Sequence, residues 1–386
     1  MKKKLLCMLA ALCLPLLLCA CSMLDKEYVS IRDYVPSEQE QRTTGGRFTV
    51  HSAEAIKPAL LSLAYDGLTE GSILFDASYE GDPAGDLENA CWTVRTEDAL
   101  CAYCVENISY DFNKIVTVNE AEIKISYSKA CESPNRIAHL GFSTEADPVI
   151  LNTLQKWEGR LTLLVGQSGY SAEDMAAQVN RIYRDNPTVT PRRPTVSVGM
   201  VSGAGNQRLY DIQIDYGMSQ ARLRQCRREL ENLRPFAELD TADLSEAERA
   251  YRACRFLVEN CEIVDDGGAN SAYAALIERR ADSEGVAFGY MELCRQLGVD
   301  CRIVYGQLDW KEHCWNIVRI DDSYYHVDVA QCAGGGLVLG FMKNDEAFWG
   351  SYRWDVGSYP KCTGTSSFFD LFLPSVPESE AQGADA

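Results

Sequence analysis

Basic residues are in short supply. The 386-residue chain sets 37 Lys and Arg against 56 Asp and Glu, a formal net charge of −19. Polyanions are held by clustered cations, so this balance argues against nucleic acid and against charge-driven binding to anionic lipid. Histidine is scarcer still: only His51, His139, His313 and His326 occur. Cys101-x-x-Cys104 has no second Cys-x-x-Cys pair, which leaves it a weak metal or redox signal. Beyond residue 20 no stretch is long and apolar enough to cross a membrane.

What is there begins with an export signal. MKKKLLCMLAALCLPLLLCACS has three lysines, an apolar run and a small-residue cleavage site. Its end, Leu18-Cys19-Ala20-Cys21, resembles a bacterial lipobox. That implies cleavage before Cys21, diacylglycerol on the Cys21 sulfur, and a cell-membrane protein facing the extracytoplasmic side. An uncleaved anchor helix is the alternative, but the run is short for one. Cleavage removes three lysines and no acid, taking the net charge from −19 to −22. Of 16 cysteines, Cys7, Cys13 and Cys19 leave with the signal and Cys21 is lipidated, so twelve remain. An exported protein could pair them. However, Cys101 and Cys104 on a helix and Cys314 on a strand sit where Ala or Val would serve, so most read as buried thiols.

Residues 21–46 are polar and aperiodic, a tether. The region 47–240 reads as two small α/β units, 47–130 and 144–240. The first predicts a helix over 53–65, a strand at Ile73–Phe75, helical segments through Asn107 and strands ending at Ile123–Tyr127. The second predicts a helix near Pro148–Trp157, a strand over Leu161–Val165 and a helix from Ser171 with Asp174 as its capping partner. Strands over 195–201 and 209–216 close it. Internal duplication and chance similarity both fit. Ser219–Leu233 is an amphipathic helix, and Ser245 with Glu248 caps the next. Residues 373–386 read as a disordered tail.

The densest signal is Ser283–Cys332. Val286, Tyr290, Leu293, Cys294 and Leu297 fall at helical spacing, with Ser283 or Glu284 at the start and Gly298 at the end. Three β-rich runs come next. A two-residue turn at Asp321-Asp322 sets Ile320 opposite Ser323, and counting back sets His313 opposite Ala330. His313, Trp315 and Ile317 then share a face with Tyr324, His326 and Asp328, with His313 and Asp328 as diagonal neighbours. A carboxylate orienting an imidazole is two-thirds of a nucleophilic triad. Five aromatics between Phe348 and Tyr359 suggest packing or a groove.

These residues resemble the transglutaminase-like superfamily, thiol enzymes of papain-like fold. Its G-V-C-x-G-Y, H-A-W-N and W-Y-x-V-D patterns meet Gly285-Val286-Ala287-Phe288-Gly289-Tyr290, His313-Cys314-Trp315-Asn316 and Tyr324-Tyr325-His326-Val327-Asp328. The resemblance implies an α+β chain: a papain-like, transglutaminase-like domain at 241–372, folding by itself and preceded by the two α/β units. It implies catalytic positions at Ala287, His313 and Asp328, and binding positions at Tyr290, Trp315 and Asn316. Ala287 falls where the family has its nucleophilic cysteine, and alanine offers no thiolate. The expectation is an inactive domain that binds peptides or cell-wall stem peptides or serves as a scaffold, without cofactor. The alternative is an active protease, amidase or acyl transferase using another cysteine. His326 with His313 and Asp328 offers three metal ligands, but the resemblance explains two of them, so no metal is expected.

Overall fold

The computed structural model describes residues 46–115, 118–131, 133–233, 243–265 and 268–366. The signal, Cys21 with nearly all of the tether, and the tail lie outside them. No helix among the described residues is long and apolar enough to cross a membrane.

The first half opens with β1 (Arg47–Val50), α1 (Ile56–Tyr65) and β2 (Glu70–Phe75). α2 (Pro83–Glu97), α3 (Ala99–Cys104), β3 (Val105–Ile115) and β4 (Val118–Tyr127) come after. The strands lie in the order β1-β2-β4-β3, with β1 parallel and β4 antiparallel to β2. The second half repeats this plan with β5 (Ala138–Phe142), α4 (Ala146–Lys156), β6 (Arg160–Gln167), α5 (Ala172–Asp185), β7 (Thr195–Ser202) and β8 (Arg208–Asp215). Its order is β5-β6-β8-β7, with β5 parallel and β8 antiparallel to β6. At α5 the Ser171 hydroxyl accepts from Asp174 N at 3.1 Å while the Asp174 carboxylate accepts from Ser171 N at 2.9 Å, a reciprocal cap of about 1 kcal/mol.

One expectation fails here. Helix does not continue to Asn107, because β3 begins at Val105. Ile108, Tyr110 and Phe112 alternate with polar residues, a period that suits a strand. Cys104, at the end of α3, is disulfide-bonded to Cys131 rather than a free thiol. Among the other described cysteines, ten are free and eight of these are buried.

The C-terminal part brings α6 (Gln220–Asn232), α7 (Glu246–Asn260), short parallel strands β9 (Glu262–Ile263) and β10 (Arg280–Ala281), and α8 (Ser283–Gln296). β11 (Cys301–Leu308), β12 (Lys311–Ile320) and β13 (Ser323–Val327) form an antiparallel meander. α9 (Val329–Gly335), α10 (Leu337–Gly340), α11 (Asp345–Phe348) and β14 (Tyr352–Trp354) complete it. β14 pairs with the far edge of β11, giving the order β13-β12-β11-β14. Both two-residue turns take positive φ at each position: 48° and 69° at Asp309 and Trp310, 47° and 63° at Asp321 and Asp322. That geometry matches strand twist, and Asp tolerates it better than most residues.

α8 is the buried centre, packed against α7, the π-helical turn Ala274–Glu278, and β11 and β12. A Cβ on Gly285 would lie 2.3 Å from the Ala269 carbonyl oxygen, so only glycine lets the helix approach that loop. By contact the described chain separates into two compact units. One holds 46–64, 68–92 and the described part of 107–126; the other holds 65–67, 93–106 and the described residues from 127 onward. Within the second unit a single core runs from β6, β8 and α5 into α7 and α8. Phe288 meets Tyr183 edge to face, with centroids 5.7 Å apart, and the Arg184 guanidinium lies 4.3 Å from the Tyr305 ring centre. The described residues of 241–372 therefore share a core with the preceding α/β sheet. A smaller core of Val304, Trp315, Ile317, Phe348 and Cys362 covers the opposite face of the β11–β14 sheet.

Candidate active-site cleft

β12 and β13 pair as far as Asn316 opposite Val327, and there β13 stops. The chain turns into α9 with Asp328 as its N-cap. The expected place of Asp328 is on the strand; instead it is the cap, and its carboxylate reaches the same imidazole from there. Its Oδ2 accepts from His313 Nε2 at 2.7 Å and from the Tyr352 hydroxyl at 2.8 Å. Its Oδ1 accepts from Gln331 N at 3.1 Å. Asp328 is 0% exposed, and three donors compensate a carboxylate that water cannot reach. With Nε2–H spent on Asp328, the second ring nitrogen of His313, Nδ1, is left as an acceptor.

In the sequence Tyr352 is only one of the C-terminal aromatics, with nothing to mark it as a site residue. Phe348 stacks on its ring at 3.8 Å and on the His326 ring at 4.7 Å, so the aromatic segment packs and in doing so aims a hydroxyl. Burial and the Asp328 charge push the Tyr352 phenol well above its ordinary pKa, keeping it a donor. Gly306 makes room: a Cβ there would strike the Arg353 carbonyl oxygen at 2.3 Å and the Trp315 ring at 2.6 Å.

His313 opens onto a cleft of about 480 Å³. Ser283, Glu284, Cys314, Ala330 and Gln331 also line it, with Asp265, Asp282 and Glu312 against Lys311. The lining is acidic. Glu284 is raised above the usual carboxylate range by burial, with Arg193 opposing. Cys314 is the cysteine of this lining, and burial together with Glu284 and Asp282 pushes its thiol pKa up, away from thiolate.

The other expected site residues lie inside. Ala287 is 2% exposed, and its carbonyl accepts from Asn316 Nδ2 at 3.0 Å. It does not line the cleft; Ser283, one turn earlier, does. Asn316 is 0% and Trp315 1% exposed, and Tyr290 is fully buried with its hydroxyl donating to Ala250 O at 3.2 Å. These three hold the cleft's frame and do not line it. Cys294 is buried.

His326 does not join His313. Its Nδ1 accepts from Trp315 Nε1 at 3.0 Å, and its Nε2 lies 2.9 Å from Asp345 Oδ1. His326, Asp345 and Cys362 offer ligand atoms within 4.8 Å of one another. An indole N–H only donates, so Nδ1 is the acceptor and Nε2 carries the proton toward Asp345. No lone pair of His326 remains for a cation unless that row is broken. Burial lowers the His326 pKa, which keeps this neutral form.

A search of curated proteins returned no match to this chain. Among solved structures it is similar to a TGase crystal structure at 9% identity and a TM-score of 0.25, over 50% of this chain and 58% of that one. A structure described as a proposed cysteine protease from Cytophaga hutchinsonii matches at 13% identity and 0.24, over 36% of this chain and 62% of that one. One described as a proposed protease from Parabacteroides distasonis matches at 10% and 0.23, over 69% and 41%. The chain thus spans about 58% of the length of the first of these. Residues 236–329 match the model of the transglutaminase-like superfamily, and on that match, with the helix and meander that carry His313 and Asp328, this chain has a transglutaminase-like domain.

Proposed function

We propose that this protein is a lipid-anchored extracytoplasmic protein whose transglutaminase-like domain binds extended peptides, cell-wall stem peptides among them, without thiol chemistry. One observation carries the reading. The cleft keeps a buried His313–Asp328–Tyr352 row, yet the cysteine in its lining is held as a thiol. Neither Ala287 nor Ser283 offers sulfur. An imidazole oriented for proton transfer with no thiolate beside it can position a ligand but cannot run the thiol route. The acidic lining favours peptides bearing an amine or guanidinium. The Cys104–Cys131 disulfide supports export, because such bonds persist in oxidising compartments. Anchoring rests on the lipobox at Cys21. The test is to incubate the full-length protein with Lys-rich and Glu-rich extended peptides. Anisotropy should register binding of the Lys-rich set, and mass spectrometry should find no new termini and no cross-links. Hydrolysis or cross-linking of any amide would overturn the reading.

A further inference from the structure

We infer that Ser283 holds the nucleophile position of this cleft, its hydroxyl in one row with His313 and Asp328. The way the sheet ends places it there. Past Asn316, β12 has lost β13 as a neighbour. At the facing β11 residue, Tyr305 N donates to the Tyr359 hydroxyl at 3.2 Å rather than to Cys314. The Tyr305–Cys314 pair is therefore of the non-hydrogen-bonded kind, and Cys314 N–H points to the open edge. Ser283 Oγ accepts it there at 3.3 Å. Standard bond lengths across the His313–Cys314 peptide then place that oxygen within about 6 Å of His313 Cα. His313 and Ser283 line the same cleft, and Nδ1 of the ring is the nitrogen left to face a hydroxyl.

The local chemistry favours this position for a nucleophile. Ser283 is the first residue of a 14-residue helix whose N-cap Asp282 accepts from Gly285 N at 2.9 Å. Amide N–H groups and the helix dipole gather there, in reach of a developing negative charge. Ala287 has neither the exposure nor the cleft. In the native protein the hydroxyl hydrogen-bonds a bound peptide. A change of one atom, oxygen to sulfur, makes it a thiol that His313 can deprotonate. This assignment rests on the peptide-binding reading for the native role of the hydroxyl. The reading itself, which rests on the His313–Asp328–Tyr352 row and on a lining that is acidic and without thiolate, survives if the assignment fails.

The test is alkylation by iodoacetamide near neutral pH, with sites identified by peptide mass spectrometry. The sulfur–carbon bond forms as iodide leaves, and the thiol proton passes to His313. The full-length parent, Ser283→Cys, Ala287→Cys and Ser283→Cys/His313→Ala are compared. An unperturbed thiol is only about 3% thiolate at pH 7, so a pKa brought to about 7 raises the rate about tenfold. Ser283→Cys should label about tenfold faster than an unperturbed thiol, with a pH midpoint shifted down. The His313→Ala double variant should lose most of the gain, and Ala287→Cys should be slower than either. Labelling of Ser283→Cys no faster than Ala287→Cys, or indifferent to His313, would overturn the assignment. A second measurement does not need the cysteine variant to fold. Ser283→Ala should weaken Lys-rich peptide binding about fivefold, the size of one hydrogen bond; unchanged binding would overturn the ligand-facing role.

Discussion

Asp328 is excluded from water and depends on three donors for its charge. Removing one leaves part of a buried carboxylate unsatisfied. Tyr352→Phe should therefore cost about 1–3 kcal/mol in urea unfolding, more than the loss of an exposed hydroxyl; a midpoint within error of the parent would contradict the role given to Tyr352. His326 yields a pH prediction. Burial holds its folded pKa below the unfolded value of about 6.5. As pH falls, the unfolded chain takes the proton first. Stability from neutral His326 is complete above that value and is lost progressively below it. His326→Phe keeps a ring to stack on Phe348 but no longer titrates. The fall in urea midpoint between about pH 7.5 and 5.5 should shrink in the variant without vanishing. His139, also pushed down by burial, contributes with the same sign. An unchanged fall would show that His326 is not the group responsible. The pairing of His313 with Asp328 is legible in the sequence because the hairpin register brings their segments together, although Asp328 reaches the imidazole from a helix N-cap and not from the expected strand position. Tyr352 is not, since nothing local distinguishes a packing tyrosine from one that donates to a carboxylate 24 residues away. Ser283 and Ala287 sit one turn apart on one helix, and only the facing strand edge separates them.

At the scale of elements, the meander is the most readable part. Ile320 does face Ser323, and α5 and α7 start at the serines whose side chains cap them. The misses share a cause: short or edge elements whose partners lie far off in sequence. β14 has three residues and exists because β11 offers an edge. Asp328 begins a helix rather than continuing β13, and its side chain caps that helix by accepting from Gln331 N. The Cys104–Cys131 bond is equally non-local, closing a loop of sequence separation 27. For such a loop, chain entropy gives a stabilisation of about 3.5 kcal/mol. Cys104→Ser should lower the melting temperature markedly, and Cys131→Ser should match it with no further loss in the double variant. Additive losses would mean the two thiols act separately.

For the whole molecule, the likeness of the two sheets is faint in sequence and plain in strand order, since the order follows from pairings distant along the chain. The shared core of α5, β6, β8, α7 and α8 means residues 243–366 alone would expose Tyr183's partner Phe288. That fragment should melt well below one beginning at 127; equal melting would show that the core divides cleanly. Cys21→Ser should release the protein from the membrane fraction. The most direct measurement uses the scarcity of histidine. With four imidazoles, each ring resonance can be assigned by substitution. Titration with a Lys-rich extended peptide should shift His313, leave His51 and His139 unmoved, and return the peptide intact at the end. A cleaved peptide, or shifts that bypass His313, would contradict a peptide-binding cleft built on His313 and Asp328.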